Sequence, residues 1–393
     1  MRKVKYGMAG VPFPPVELNA QAAMAYEQAG LDFVAYSDQT AYTIPRSIWT
    51  PDIIPAAAYV DVDTQLDPVM MMTQAAMVTK TIELCLLAMD VFRRAPAVIA
   101  QSFLSIDHIC KGRAHFFLGA GEAKQFTAYG YAREKPMAHQ EEVMKIVKLL
   151  VERTDGVDFD GQFWKMRQAL MTAAPYNNKM PKIGCVGGGK AIEMAGRLGD
   201  GWGVFMPPCG SPEVFAKQVK EVKQHAERAG KDPEQLIFNA VFMTLIEDDE
   251  AAIQRATENL ALRWDCAATL PSTEPWKAIG LTNPLGDNWS YARDLAPTEW
   301  SREDALRIAN AVSPETLRKL RICGTPESAA KQIQPYIEAG VNYVWAANFS
   351  GLVSMGSFGA SDTGIEPILE TYDHLRKMNG QPAVPRVPAQ VAV

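Results

Sequence analysis

The sequence has few of the residues that build metal centres, disulfide frameworks and catalytic triads. It contains five histidines and six scattered cysteines in 393 residues. No histidine pairs with a Cys, Asp or His at a metal-ligand spacing, so we expect no metal site. The scattered cysteines predict buried, reduced thiols rather than disulfides. The Gly-x-Ser-x-Gly elbow is absent, which disfavours a nucleophilic hydrolase.

Long apolar runs and an excess of positive charge are also lacking. No stretch reaches the roughly 18 to 20 uninterrupted apolar residues that span a bilayer. The 39 Lys+Arg against 45 Asp+Glu give a net charge of −6, which argues against nucleic-acid or anionic-membrane partners because both favour a basic surface. The first residues show no signal-peptide pattern. We therefore expect a cytoplasmic protein, and its 48% hydrophobic residues predict a large core.

The clearest local pattern is a helix that ends at glycine and leads directly into a strand. It occurs at residues 27–34, 196–204 and 338–344. Glycine ends a helix by adopting the left-handed conformation, and the β-branched or aromatic run that follows is typical of a buried strand. The recurrence of this pattern near the start, middle and end of the chain predicts alternating strands and helices around a parallel sheet.

Eight strands are predicted, which is the number that closes an α/β TIM barrel, (β/α)8. They are expected at residues 4–10, 32–37, 82–89, 114–119, 182–186, 202–205, 236–245 and 342–347. An open doubly wound sheet is the alternative architecture. We expect residues 1–378 to form a single barrel with insertions at its C-terminal face, with insertion 264–323 as a lid over the active site. Residues 379–393 lack periodicity and are expected to form a flexible tail.

A run of glycines is the first candidate binding site. Gly187, Gly188 and Gly189 follow a predicted strand, and Lys190 opens a predicted helix. Consecutive glycines let backbone amides approach an anion, and a helix N-terminus adds partial positive charge. The run therefore predicts a phosphate site, although a tight turn that simply needs glycine is an equal alternative. Neither the Walker A pattern nor Gly-x-Gly-x-x-Gly is present.

Three carboxylates follow predicted strands, where the active site of a barrel forms. Glu122 comes after the fourth strand between glycine and alanine, and is a candidate general acid; a solvated loop residue is the alternative. Asp38 ends the second strand, where it is a candidate site residue or a turn cap. Asp90 ends the third strand and is a candidate site residue, with a structural ion pair to Arg93 or Arg94 as a strong alternative.

Several motifs resemble the luciferase-like flavin and deazaflavin oxidoreductases. The resemblance follows the chain in order and spacing over most of residues 1–376. The motifs are FRRAPAVIAQ at 92–101, GR at 112–113, GAGE at 119–122, GGGKA at 187–191 and AGRLGDG at 195–201. Within that superfamily the chain looks most like the branch that uses coenzyme F420, which includes glucose-6-phosphate dehydrogenases, methylene-tetrahydromethanopterin reductases and phthiodiolone ketoreductases.

The resemblance implies a barrel with a deazaflavin in its C-terminal mouth. The loop from Gly187 to Ala191 would hold the phosphate of the coenzyme, and Glu122 would handle a proton near the ring. The family's non-proline cis peptide, which backs the ring, matches the bond between Leu86 and Leu87. Three further residues match positions around the coenzyme: Gly121 and Gln125 would line it, and Asp38 would close the other side of the ring pocket.

One position departs from the family pattern. Many F420-dependent dehydrogenases have histidine after the aspartate, and that histidine exchanges a proton with the substrate hydroxyl. This chain has Gln39 there, and a carboxamide cannot act as a base near neutral pH. Either Glu122 or a tyrosine then takes the proton, or the substrate is not a simple secondary alcohol.

These observations predict an F420-dependent oxidoreductase that transfers hydride between the deazaflavin C5 and a carbonyl, alcohol or activated C=C group. Four of the eight tryptophans lie in insertion 264–323, which favours a bulky, apolar substrate. An FMN-dependent monooxygenase and a non-catalytic barrel that binds a cofactor are the alternatives. The resemblance also implies a homodimer.

Overall fold

Eight parallel strands close into a barrel in the computed structural model, which describes residues 3–205, 211–270, 273–354 and 365–383. In chain order the strands are β1 (Lys5–Ala9), β2 (Phe33–Tyr36), β3 (Glu83–Asp90), β4 (Ala114–Gly119), β5 (Val157–Asp160), β6 (Lys165–Ala169), β7 (Lys182–Val186), β8 (Gly201–Phe205), β9 (Ile237–Ile246), β10 (Ile322–Gly324) and β11 (Tyr343–Asn348). The barrel runs β1-β2-β3-β4-β7-β8-β9-β11 and closes by pairing β11 with β1. The predicted (β/α)8 barrel is confirmed.

Helices connect the strands and surround the barrel. They are α1 (Glu17–Gln28), α2 (Pro68–Val78), α3 (Pro96–Ile109), α4 (Ala123–Phe126), α5 (Pro136–Glu152), α6 (Lys190–Arg197), α7 (Pro212–Arg228), α8 (Glu250–Glu258), α9 (Leu260–Thr269), α10 (Glu274–Ala278), α11 (Tyr291–Asp294), α12 (Arg302–Asn310), α13 (Pro314–Leu320), α14 (Pro326–Glu338), α15 (Gly351–Ser354) and α16 (Ile365–Met378).

The helix ends follow from local sequence chemistry. Helix α2 begins with proline, whose missing N–H costs nothing at that position, and the Asp67 carboxylate accepts a hydrogen bond from the Val69 amide at 2.8 Å. Helices α1 and α14 end just before Gly30 and Gly340, which have φ of 70° and 123°. A side chain would disfavour that conformation, so glycine turns each helix directly into the next strand.

The strands separate two layers of core because successive side chains point to opposite faces. Phe33, Ala35, Leu87 and Phe117 belong to the cluster inside the barrel. Their strand neighbours pack outward against the helices, among them Val34, Tyr36, Leu86 and Phe116.

The segment between β9 and β10 builds a second apolar cluster with the loop after β2. Trp264 and Trp276 are buried in this cluster. A buried ion pair joins Asp265 on α9 to Arg321, with Oδ2 and a guanidinium nitrogen 3.0 Å apart. Strand β10 then pairs with the end of β9 outside the barrel; this short strand was not predicted.

The described ranges hold no helix with both the length and the apolar composition of a membrane-spanning segment. Within the same ranges, no group of three or more His, Cys, Asp or Glu side chains is arranged to hold a metal ion. Five cysteines are free thiols. Cys209 and residues 384–393 of the predicted tail lie outside the described residues.

Candidate active site

A cavity of about 330 Å³ opens at the C-terminal ends of the barrel strands. Its wall comes from the ends of β1, β2, β8, β9 and β11, and most of the side chains are apolar or aromatic. Strand residues of this wall include Ala9, Tyr36, Phe205, Val241, Trp345 and Ala347. A mostly apolar chamber with a few polar groups is the usual form of a small-molecule site.

Two insertions complete the wall of the cavity. The loop after β2 supplies Tyr42, Trp49 and Val60, and the segment after β9 supplies Thr269 and Tyr291. The predicted insertion 264–323 therefore contributes side chains to the chamber. The loop at 40–66 contributes more of them, and both belong to the second apolar cluster.

Asp38 is an anchoring residue in this structure. Its carboxylate has no exposed surface, and Oδ1 lies 2.8 Å from an Arg93 guanidinium nitrogen. Oδ2 accepts a hydrogen bond from the Asp90 amide at 3.1 Å, and Arg94 contacts both carboxylate oxygens at 3.4 Å. These contacts hold the ends of β2 and β3 together. A catalytic role for Asp38, or a role in closing the coenzyme pocket, stays a prediction.

The alternative of an ion pair at Asp90 is wrong, because Arg93 pairs with Asp38 and Arg94 pairs with Asp38 and Asp67. Asp90 accepts a hydrogen bond from the Phe92 amide at 2.8 Å. Its second carboxylate oxygen is buried, and no described residue forms a hydrogen bond with it. Burial raises the pKa of Asp90 to about 6, and the charges of Asp38 and Glu122 add to this rise.

Gly121 lies directly against the Asp90 carboxylate. Its φ is 71°, and an added Cβ would lie 3.0 Å from Asp90 Oδ1. Any side chain would therefore be crowded as well as strained at this position. Glycine is required here by packing against Asp90, whether or not it also lines the coenzyme as predicted.

Glu122 belongs to a polar cluster beside the cavity. Its Oε2 lies 3.2 Å from Nζ of Lys124, whose side chain is completely buried. Lys124 also donates hydrogen bonds to Gln39 Oε1 at 3.2 Å and to the Ala41 carbonyl at 2.8 Å. The sequence therefore identified two members of this cluster, Glu122 and Gln39, and missed the lysine between them.

Tyr291 connects Glu122 to the cavity. It lines the chamber, and the negative charge of the Glu122 carboxylate acts on its hydroxyl. Burial raises the pKa of Tyr291 well above its usual value, and the negative charge of Glu122 raises it further. Tyr291 therefore stays protonated over the physiological range, as a hydrogen-bond donor.

Gln125 ties the loop after β2 to α4. Its Oε1 accepts hydrogen bonds from the amide and hydroxyl of Thr40, both at 2.7 Å, and its Nε2 donates to the Asp38 carbonyl at 3.0 Å. The side chain is buried. These contacts position the residues that follow β2, and the predicted contact with coenzyme stays a prediction.

The non-proline cis peptide is present in β3, one residue later than expected. It joins Leu87 to Ala88 rather than Leu86 to Leu87. The pairing of β3 with β4 shifts register between Leu87 and Met89, so a β-bulge leaves Ala88 unpaired. Leu86 packs outward in the core around the barrel, while Leu87 points into the barrel. The predicted contacts of Leu86 and Leu87 with the coenzyme stay predictions.

The glycine loop after β7 has the geometry expected of an anion site. Gly187 and Gly189 have φ of 133° and 54°, and an added Cβ at Gly188 or Gly189 would have no atom within 4 Å. No described residue accepts a hydrogen bond from the amides of Gly188, Gly189 or Lys190. Ala191 is buried in the first turn of α6. Free amides in open space at a helix N-terminus fit a phosphate group.

The sequence profile described as luciferase-like monooxygenase matches residues 5–343 of the chain. The chain belongs to the luciferase-like monooxygenase family. A luciferase-like relative, the phthiodiolone/phenolphthiodiolone dimycocerosates ketoreductase of Mycobacterium kansasii, is 25% identical over 343 residues, which cover 86% of this chain and 92% of the relative. Together these similarities identify this luciferase-like protein as an oxidoreductase.

Solved structures share the luciferase-like barrel. An F420-dependent secondary alcohol dehydrogenase in complex with an F420-acetone adduct superposes with a TM-score of 0.69 at 20% identity, covering 94% of this chain and 99% of that one. A riboflavin lyase with modified FMN and riboflavin gives a TM-score of 0.64 at 17% identity, covering 98% and 94%. These likenesses establish the fold, and the two proteins differ in the cofactor that they carry.

Proposed function

We propose that the protein is an F420-dependent oxidoreductase that reduces a ketone of a bulky, apolar compound, or oxidises the corresponding alcohol. The observation that carries this proposal is an apolar chamber whose wall includes Gln39, which accepts a hydrogen bond from Lys124, and Tyr291, on which the charge of Glu122 acts. A bulky ketone has one polar oxygen on an otherwise apolar molecule. The chamber matches it, with a few polar side chains on an otherwise apolar wall.

The residues present fit a deazaflavin with a phosphate-bearing tail. The amides of Gly188, Gly189 and Lys190 would hold the phosphate, because they have no acceptor among the described residues and lie at the N-terminus of α6. Gly121 and the bulge at Ala88 would border the ring at the ends of β3 and β4. When bound in its reduced form, the coenzyme supplies a hydride from C5.

The protein's own residues supply the proton that a ketone needs on becoming an alcohol. Tyr291 lines the chamber as a protonated hydroxyl, so it gives its proton to the substrate oxygen. Glu122 then passes a proton taken up from solvent to the tyrosinate, which restores the hydroxyl and leaves Glu122 as a carboxylate again. Lys124, 3.2 Å from Glu122, then stabilises that carboxylate. Alcohol oxidation follows the same path in reverse.

The insertions exclude water from this chemistry. Tyr42 and Trp49 from the loop after β2, and Tyr291 from residues 264–323, close the chamber above the strand ends. A dry chamber strengthens each hydrogen bond to the reacting oxygen. We propose that the two insertions act together as the lid and select an apolar substrate.

The ketoreductase relative and the F420-dependent dehydrogenase favour the deazaflavin over FMN. The residues on the chamber wall give a second reason, because an FMN monooxygenase of this family usually carries a histidine near the flavin ring. No histidine is among the described residues that line the chamber.

The test begins with coenzyme binding. Oxidised F420, FMN and FAD are titrated separately into the purified protein, and binding is followed by fluorescence quenching. We expect F420 to bind and FMN to bind more weakly. Tight FMN binding without F420 binding would overturn the assignment.

The second part of the test concerns Glu122. The Glu122→Gln variant keeps the shape of the side chain but holds no transferable proton. We expect it to bind F420 as the wild type does and to lose about 100-fold or more in kcat, the usual contribution of a positioned acid. Tyr291→Phe should lose turnover in the same way. Unchanged turnover in Glu122→Gln would remove Glu122 from the mechanism.

A further inference from the structure

The buried Lys124 ammonium fixes the orientation of the Gln39 carboxamide. The ammonium has donors only, so the group that meets it in a hydrogen bond has to be the amide oxygen. Gln39 Oε1 lies 3.2 Å from Nζ, and the Glu122 and Ala41 oxygens complete the surroundings of the ammonium. Turning the carboxamide over would place N–H groups against a buried positive charge. The amide nitrogen therefore points away from Lys124.

This nitrogen has no hydrogen-bond acceptor within the described part of the chain. No described residue accepts a hydrogen bond from Gln39 Nε2, whereas Gln39 lines the cavity and is partly exposed to it. Its two N–H groups are therefore the part of the side chain that is left for a ligand in the chamber.

Three other donors on the cavity wall have acceptors within the protein, whereas the Trp345 indole N–H, which is fully buried, has no hydrogen-bond partner among the described residues. The Ser37 hydroxyl donates to the Leu87 carbonyl at 2.9 Å, and the Trp49 indole donates to the Val60 carbonyl at 2.7 Å. The Thr269 hydroxyl donates to the Asp265 carbonyl at 2.8 Å. To meet any of these three donors, a ligand oxygen would have to break an existing hydrogen bond, but it can meet Gln39 Nε2 at no such cost.

We propose that Gln39 binds the carbonyl oxygen of the substrate through Nε2, and that Lys124 is the positioning residue that holds it in this orientation. This inference rests on the proposed ketone chemistry. Negative charge grows on the carbonyl oxygen as hydride reaches the carbon, and an oriented N–H donor stabilises that charge. Gln39 keeps both of its protons, so the proton of the alcohol still comes from Tyr291. In this chain the glutamine thus supplies the hydrogen bond of the family's histidine without its proton transfer.

The test is the infrared C=O stretch of a bound ketone, because a hydrogen bond lowers its frequency. Carbonyl-13C cyclohexanone is added to the protein with oxidised F420, which has no hydride to deliver. In Gln39→Glu, a carboxylate oxygen replaces Nε2 while Lys124 keeps an acceptor. We expect the stretch to lie at a higher frequency in Gln39→Glu than in the wild type. Cyclohexanone affinity should fall about 2- to 10-fold, the loss expected for one hydrogen bond.

Two further variants separate orientation from folding. Lys124→Met leaves Gln39 free to turn over, and should move the stretch in the same direction as Gln39→Glu, by a smaller amount. Gln65→Leu is the matched control, because Gln65 also lines the chamber but donates its Nε2 to the Val62 carbonyl at 3.3 Å. It should leave the stretch unchanged. If Lys124→Met does not fold, Gln39→Leu replaces it with the same expectation.

The outcomes distinguish this inference from the proposed function. An identical stretch in the wild type, Gln39→Glu and Gln39→Leu would overturn the inference, as would a failure of cyclohexanone to bind. If F420 does not bind, the same spectra are recorded without it. If the stretch recorded without F420 still differs between the wild type and the Gln39 variants, the carbonyl site is supported while the F420 assignment fails.

Discussion

Asp90 should make the stability of the protein depend on pH in a defined window. The residue is 4% exposed, and burial together with the charges of Asp38 and Glu122 raises the pKa of its carboxyl group from 3.8 to about 6. The folded protein therefore binds this proton more tightly than the unfolded chain does. The resulting stabilisation is complete below about pH 3.8 and is lost as the pH rises through about 6.

The size of the effect follows from the shift in pKa. A rise of about 2 units corresponds to about 3 kcal/mol over the full range, and to about 1.4 kcal/mol between pH 5 and pH 8. Asp90→Asn keeps an oxygen for the Phe92 amide and removes the titration. The stability of the variant relative to the wild type should therefore rise by about 1.4 kcal/mol from pH 5 to pH 8.

Thermal unfolding measures this difference. For a chain of 393 residues, 1.4 kcal/mol corresponds to about 2 °C in Tm. Any change in Tm that comes from burying the new carboxamide is the same at both pH values. This constant amount cancels, because the prediction concerns only how the difference in Tm between variant and wild type changes with pH. Asp248→Asn, which removes an exposed carboxylate, is the matched control. A difference in Tm between Asp90→Asn and the wild type that is the same at both pH values would refute the reasoning.

The other predictions concern the lid and the glycine loop. Arg321→Met leaves Asp265 as an unpaired buried charge and should destabilise the protein by about 3–5 kcal/mol, read as a lower Tm; a loss below about 1 kcal/mol would contradict this. The double replacement of Asp265 by Leu and Arg321 by Met should recover most of the loss. Gly188→Ala should change stability by less than about 0.5 kcal/mol, since its methyl meets no atom, but should weaken F420 binding in a titration. Gly189 has a positive φ, so Gly189→Ala should lower the free energy of unfolding by about 1–3 kcal/mol. Equal stability of the Gly188→Ala and Gly189→Ala variants would contradict this positive φ.

The barrel was predictable because its signals are local. The glycine that ends a helix and the apolar run that follows act within about eight residues, and all eight barrel strands lie within a few residues of their predicted positions. Strand β6 is polar, and β10 is three residues long and depends on β9 for its pairing. Neither strand shows a pattern of its own in the sequence.

The site was predictable only in part because it depends on contacts between distant segments. Lys124 follows a loop of glycines and would be expected at the surface. It is buried because oxygens of Gln39 and Ala41, at the start of the loop after β2, converge on its ammonium together with the Glu122 carboxylate. For a similar reason, Arg93 and Arg94 form ion pairs with Asp38 and not with Asp90, because the ends of β2 and β3 meet only in the folded barrel. The cis bond lies at the bulge at Ala88, one residue later than expected. No local sequence pattern indicates this position.

Tyr291 shows the same limit for the proton path. The departure at Gln39 indicated that a tyrosine or Glu122 has to handle the proton, but twelve tyrosines were available. The folding of the segment between β9 and β10 is what brings Tyr291 near Glu122, from about 170 residues further along the chain. Chemical reasoning could therefore predict a tyrosine, but not which of the tyrosines it is.

The transfer of deuterium from coenzyme to product tests the central claim most directly. Reduced F420 with deuterium at both C5 positions is mixed with the protein and an apolar ketone in ordinary water, and the alcohol is analysed by mass spectrometry and NMR. Hydride transfer predicts one deuterium on the carbinol carbon of each product molecule. Alcohol that carries only solvent hydrogen at that carbon, or a product that forms only with FMN and oxygen, would contradict the account.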